Sequence, residues 1–281
     1  MFKFIKYFLY IFFISIVLFS LYYFSDYYLM EYGLRPRHTD YKILKPGGLI
    51  SHGYGIVGSL MMILLLFYSM RKRTRIFGKI GAISRWLDIH IFFGTVGPLL
   101  VILHSTFKLN GIVSVSFWSM VLVALSGFVG RYLYVQIPRT IRGNEMTLGE
   151  VEKVNGELGE QLQTLYKMQT HEIKNLELAI AGSLKGGLAG MVFADLFRAF
   201  RIRGIEKQLR RLKGIPKNKT KPFIKILTQK ALLNRRIIRW EKVHKLFHFW
   251  HVFHKPFAII MYIIMIVHVG ISVWLGYTWI F

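Results

Sequence analysis

The sequence predicts an all-α integral membrane bundle of about five transmembrane helices, with a long helical cytoplasmic segment inserted before the last of them. Three observations carry that expectation. The chain has 281 residues, 53% of them hydrophobic. Apolar, largely uncharged runs lie at about 4–24, 48–70, 87–107, 112–130 and 256–280, each near the ~20 residues a helix needs to cross ~30 Å of hydrocarbon. Lys and Arg give a formal net charge of +24 and gather in alternate loops, as the positive-inside rule requires. That placement accounts for the charge by membrane topology, and no nucleic-acid partner is expected.

The elements follow in order. Lys3 and Lys6 open the first run. Its apolar stretch is too long for a signal-peptide core, and no small-x-small cleavage site follows Ser20 or Ser25, so it reads as an uncleaved first helix. The 25–47 loop holds four Lys/Arg against three Asp/Glu and votes weakly. The second run is followed by Arg71, Lys72, Arg73, Arg75, Lys79 and Arg85 with no acid among them. The turn after the third run offers only Lys108, whereas 137–245 is basic again, with 23 Lys/Arg against 10 Asp/Glu. The N-terminus is therefore expected inside and the C-terminal Trp279-Ile280-Phe281 outside, in a multi-pass protein of a plasma or bacterial inner membrane. Three segments result: 1–136 with four spans, 137–245 as the inner segment, and 246–281 with the fifth span.

The inner segment reads as helical. Thr147-Leu148-Gly149-Glu150 fits a capping box, and apolar positions recur at Leu148, Val151, Val154, Leu158, Leu162 and Leu165 with helical period. From Leu188 to Leu212, Met191, Val192, Phe193, Leu196, Phe197 and Phe200 mix with Arg198, Arg201, Arg203, Arg210 and Arg211. Basic amphipathic helices of this kind lie on anionic membrane surfaces. Gly214-Ile215-Pro216-Lys217-Asn218-Lys219 breaks the pattern before a third basic helix. A solvated, lipid-hugging connector is the preferred reading over a dedicated docking site.

Histidines point to chemistry. His90 and His104 lie in the third run, His254 and His268 in the fifth, and each pair is fourteen residues apart. Fourteen helical steps come to about 1,400°, about 40° short of four whole turns, so both members of a pair face one way, roughly 21 Å apart along the axis. Third and fifth runs both pass from inside to outside, which puts His90 level with His254 and His104 level with His268. Polar groups inside a membrane are costly and are functional candidates. Two pairs with one spacing and one orientation favour metal ligation over structural hydrogen bonding. The chain has no cysteine, which excludes cysteine-ligated iron–sulfur clusters, covalent c-type haem and disulfides.

Neighbouring residues refine this reading. Gly94 and Gly97 lie on the stripe between His90 and His104 and leave room for a flat macrocycle, although glycines in such helices more commonly serve helix packing. The stripe between His254 and His268 holds Ala258, Met261 and Met265. Pro256 kinks or starts a helix, so His251 stays open as an alternative inner ligand, and Pro98 raises a milder form of the same problem. His244 and His248 read as interfacial, and His52 as a headgroup-level residue or a neighbour of the outer pair. His38 and His171 receive no role. Arg131, at the inner end of the fourth span, is a candidate partner for a haem propionate, with Lys108 a weaker one outside; interfacial snorkelling explains either equally well. Gly53-Tyr54-Gly55-Ile56-Val57-Gly58 satisfies G-x-G-x-x-G but enters a membrane span and follows no strand, so Gly55 and Ser59 read as a helix-packing face.

The four histidines resemble the transmembrane haem domain shared by ferric reductases and NADPH oxidases. The resemblance covers about 86–136 and 250–275. It implies two b-type haems, His90 with His254 holding the inner and His104 with His268 the outer, and an electron-transfer subunit of an oxidoreductase. The chain departs from that family in lacking a C-terminal flavin–nicotinamide domain and in inserting roughly a hundred residues between the fourth and fifth spans. The resemblance thus implies a quinol or a separate redox protein as the donor, with membrane lipid as surroundings. Two other readings remain: a histidine-dependent transporter or channel, and a scaffold that recruits a partner through its basic inner segment.

Overall fold

The computed structural model describes residues 2–74, 80–108, 111–140, 145–182, 188–213 and 217–277. These form an all-α protein with thirteen α-helices and no strand ladder among the described residues. In chain order they are α1 (Phe2–Tyr23), α2 (Ser25–Leu29), α3 (Tyr41–Leu44), α4 (Leu49–Leu64), α5 (Leu66–Arg73), α6 (Ile83–Ser105), α7 (Ile112–Gln136), α8 (Leu148–Tyr166), α9 (Thr170–Ala181), α10 (Leu188–Leu196), α11 (Arg198–Lys213), α12 (Lys217–Ile238) and α13 (Trp240–Trp274). Among the described residues, five stretches are long and apolar enough to cross a membrane: Phe4–Tyr23, Tyr41–Arg73, Ile83–Ser105, Ile112–Gln136 and Trp240–Trp274.

Several boundaries differ from the sequence expectation. The second span is two helices, α4 and α5, meeting at Leu65. The fifth starts sixteen residues before the expected 256 and ends at Trp274. Pro256 neither starts nor breaks it, because a membrane helix tolerates one lost backbone bond when its neighbours re-satisfy the freed group. Pro98 likewise lies inside an unbroken α6. Arg75, Lys79, Gly214, Ile215, Pro216 and Trp279-Ile280-Phe281 lie outside the described residues, as do the side chains of Arg210, Arg211, Lys217 and Lys219.

The chain divides into two compact units, Met1–Tyr132 with His248–Phe281, and Leu133–Phe247. In the first unit α4 and α6 pack most closely. Gly58 and Gly97 face each other there: a Cβ on Gly58 would meet Val101 at 2.9 Å and the Gly97 carbonyl at 3.1 Å, and one on Gly97 would meet Met62 and Met61 at 3.2 and 3.3 Å. Gly97 thus packs on α4, as glycines between membrane helices commonly do, and Gly94 looks toward Leu65, where α4 meets α5. On α4, Gly55 and Gly58 both lie close against α6. Phe92, Val96, Leu100 and Leu103 of α6 are buried against Val17, Phe24, Tyr27, Leu44 and Met61.

The 25–47 loop, a weak vote in the charge count, contains a buried clamp. Arg35 is 6% exposed and donates to the carbonyls of Tyr28, Met30 and Thr106. Its guanidinium also lies over the rings of Tyr27 and Tyr32, at 5.2 and 5.4 Å. Thr106 and Phe107 take left-handed backbone, φ 47° and 61°, which ends α6 where its last carbonyls can be capped. Burial pushes the Tyr28 phenol up, with Tyr54 and Tyr27 adding to the effect.

The second unit has a core of its own. Leu162 of α8, Ile173 and Ile180 of α9, Ile205 and Leu209 of α11, and Phe223, Leu227 and Ala231 of α12 are buried together. The capping box at the start of α8 is present: Thr147 Oγ1 accepts from the Glu150 N–H, and the Glu150 carboxylate accepts from the Thr147 N–H at 2.7 Å. Those hydrogen bonds hold the exposed Glu150 carboxyl below the usual carboxylate range. Charged groups are buried with partners. Glu177, 4% exposed, meets Lys230 at 3.0 Å and Asn234 at 2.9 Å. Asp195 accepts from Arg198 at 3.0 Å, from Gln136 at 3.1 Å and from the buried Arg235. Arg201 and Arg235 also donate to the carbonyls of Ile180 and Ala181 at the end of α9, where cations complement the helix dipole. Burial, and then the nearby Arg235 charge, lower the pKa of Arg201 and Arg236.

Candidate functional site

All four candidate ligands lie in the membrane-spanning unit, on α6 and α13. Three of them have a fixed Nδ1. His104 Nδ1 lies 2.8 Å from the Ser51 carbonyl, and His90 Nδ1 lies 3.3 Å from the Leu65 carbonyl. A carbonyl only accepts, so in the neutral ring Nδ1 carries the proton and Nε2 keeps its lone pair. His254 Nδ1 lies 2.8 Å from Ser126 Oγ. The Ser126 hydroxyl donates its hydrogen to the Val123 carbonyl, which makes Ser126 Oγ the acceptor and leaves Nε2 of His254 unprotonated too. Such second partners orient metal-binding imidazoles.

One glycine device makes room for the His104 contact and for a tryptophan contact beside His254. In a helix, the carbonyl of residue n already bonds the N–H of residue n+4. A second donor reaches that carbonyl only if residue n+4 does not obstruct it. For Ser51 that residue is Gly55, and a Cβ there would lie 2.6–2.8 Å from the His104 ring. Trp250 Nε1 donates to the Ser126 carbonyl at 2.8 Å, and residue n+4 is Gly130, where a Cβ would fall onto the Trp250 indole. Gly55→Ala is therefore expected to push the His104 ring off the Ser51 carbonyl and to weaken whatever His104 binds, while the helical content seen by circular dichroism stays unchanged.

Two of the four share a cavity. His104 and His268 both line a space of about 260 Å³ together with Met62, Met120, Met261 and Met265. Lys108 lies on the same wall, with its ammonium 5.1 Å from the Tyr32 ring centre. His52 stands beside this group, its ring centre 6.4 Å from that of His104. His254 lies within electrostatic reach of both His90 and His251. The Trp250 ring packs on His251 at 4.6 Å and on His254 at 4.7 Å, and Tyr68 packs on His90 at 5.0 Å.

Arg131 has an acidic neighbour. Asp88, two residues before His90, lies 3.8 Å from Arg131 and 3.7 Å from Lys6. Those three charges form a small network with one positive charge in excess. His244 lies in the other unit, where Nε2 sits 2.7 Å from Glu145. His38 pairs loosely with Asp40, at 3.9 Å.

The residues fit a bis-imidazole group unevenly. His104 and His268 offer two imidazoles on one cavity, with apolar and thioether walls and a lysine in the lining that would suit a carboxylate. The cavity is smaller than the ~300–1,000 Å³ of ordinary ligand clefts. Four methionines, each with three rotatable side-chain bonds, form the adaptable part of its wall. At His90 and His254, Tyr68 and Trp250 pack on the imidazoles. Sequence reasoning did not find Ser51, Leu65, Ser126 or Trp250. Three of the contacts use a main-chain carbonyl, which has no residue signature; glycines four residues on, Gly55 and Gly130, mark those at Ser51 and Ser126, and nothing in the sequence marks the one at Leu65.

No protein-family model, no curated protein and no solved structure matches this chain.

Proposed function

We propose that the chain is a di-haem b-type membrane cytochrome that relays electrons across the membrane between a quinol or a separate redox protein and an acceptor. The observation that carries this reading is that His90, His104 and His254 each have Nδ1 engaged with an acceptor, so that each turns a basic Nε2 to whatever lies opposite. His90 and His254 would hold the inner group, and His104 and His268 the outer. A haem held by two imidazoles supplies one-electron transfer and has no open position for oxygen.

The chain's own residues would set the conditions. The Ser51 and Leu65 carbonyls and Ser126 Oγ hold the Nδ1 protons and fix ring orientation. Buried apolar side chains from α4, α6 and α13 exclude water. Lys108 would meet a carboxylate at the outer edge, and Arg131, shared with Asp88, at the inner. The orientation that fits the charges puts the N-terminus and 133–247 inside and the C-terminus outside, in a plasma or bacterial inner membrane. Chemically this is the electron-transfer subunit of an oxidoreductase.

One observation favours a second reading. Met62, Met120, Met261 and Met265 share the cavity with His104 and His268, and thioether with imidazole suits a soft cation such as Cu(I). The chain would then be a histidine-dependent transporter. A dithionite-reduced minus oxidised absorption spectrum of the purified protein, with pyridine haemochrome quantification, separates the two. Two b-type haems per chain are expected. A colourless protein that takes up Cu(I) after expression with ample haem would overturn the cytochrome and establish the transporter.

A further inference from the structure

The second unit carries an exposed aromatic face whose occupant is legible from its charge. Phe193, Leu196, Phe197 and Phe200 are 58%, 64%, 55% and 67% exposed. They fall on one side of a continuous helical path, because backbone bonds Phe197 N to Phe193 O and Arg201 N to Phe197 O carry the helix across the α10–α11 junction. At about 100° per residue, the same side continues through Arg203, Gly204 and Lys207 one and two turns on. All three are exposed.

The opposite side is fixed. Met191, Ala194, Ile205 and Leu209 are buried, and Ile205 and Leu209 pack into the core with α9 and α12. Arg198 and Arg201 hold the junction through Asp195 and the Ile180 and Ala194 carbonyls. The aromatic face is thus held outward by the packing behind it. Among the described residues 191–209, the exposed positions hold two cations, Arg203 and Lys207, and no carboxylate.

We propose that this face docks on the anionic lipid leaflet of the membrane that the chain spans. Aromatic rings beside cations, without acids, match the apolar-plus-anionic chemistry of a lipid surface. The chain itself keeps the face near a bilayer, since residues 133–247 are joined at both ends to membrane-spanning helices, α7 and α13. Phe193, Leu196, Phe197 and Phe200 would enter the acyl boundary, while Arg203 and Lys207 meet phosphate. The docking surface stands whether or not the chain binds haem.

The chain has no cysteine, so single labels can be placed without background. Phe193→Cys, Phe197→Cys and, as a control on exposed α8, Glu157→Cys would each be made in the full chain. Each would be labelled with a small fluorophore and assembled into nanodiscs of phosphatidylglycerol and phosphatidylcholine. Labels at 193 and 197 are expected to lose most of their emission to brominated acyl chains and to resist aqueous iodide. The label at 157 should show the reverse. Phosphatidylcholine alone, or Arg203→Glu with Lys207→Glu, should abolish the lipid quenching. Iodide quenching at 193 and 197 without lipid quenching would overturn the proposal in favour of a solvated face. Protection from both quenchers would overturn it in favour of a protein occupant, either a second copy or a partner.

Discussion

His104→Ala is expected to leave the purified chain with one haem instead of two, and His268→Ala to do the same. Their inner counterparts, His90→Ala and His254→Ala, should each remove the other haem, and the fourfold variant should be colourless. Pyridine haemochrome quantification per chain reads the result directly. The effect is large because a bis-imidazole site rests on two protein ligands, and a haem left with only one is expected to be lost on purification. Ser126→Ala tests the inner site more gently. It removes the acceptor of the His254 Nδ1 proton without touching a ligand, and losses of this kind typically cost about 10–100-fold in affinity. It should therefore lower inner-site occupancy or shift its potential while the outer site stays as it was. If all four alanine variants keep both haems, the proposed ligation is wrong.

Asp195→Ala is expected to destabilise the second unit by about 3–5 kcal/mol, the range for breaking a buried ion pair from one side. Arg235 is only 2% exposed at its side chain, and Asp195 is the carboxylate it meets together with Arg198. Arg201 and Arg236 lie near enough to feel the same charges. Without Asp195, several guanidinium groups would face one another in a partly dry site. The change should appear as earlier thermal unfolding and faster proteolysis within 133–247. Asp195→Asn keeps the shape and one acceptor and should lose less. The spectrum of any bound haem should not move, since all four histidines belong to the other unit. Equal stability of Asp195→Ala and the unaltered chain would show that the arginines are compensated by the helix-end carbonyls alone.

Hydropathy made the class of fold legible because membrane spans answer to a one-dimensional rule. A helix must present about twenty apolar residues wherever it crosses lipid, whatever it packs against. The basic segment 137–245 shows where that legibility stops. Its apolar stripe was visible at Val151 and Leu162, which are fully buried, but the same stripe included Leu165, which is 67% exposed. Lys and Arg at high density made α11 and α12 read as a surface connector. In fact Ile205, Leu209, Phe223 and Leu227 bury one face of each. Spacing and charge describe a helix's faces; which face finds a partner depends on helices far off in sequence.

By itself, the sequence determined an all-α chain with five stretches able to cross a membrane, and four histidines in two equally spaced pairs on two of them. Periodicity and length suffice for these, because each follows from the geometry of a single helix. Tertiary structure alone decided which atoms face the imidazoles: a carbonyl at Ser51 and at Leu65, and a hydroxyl at Ser126, 53, 25 and 128 residues away in the chain. It also decided that Gly97 packs against α4, and that the basic segment before α13 folds around a core of its own. Each of these depends on which helix faces come together, and that is a property of packing between distant segments rather than of any one of them.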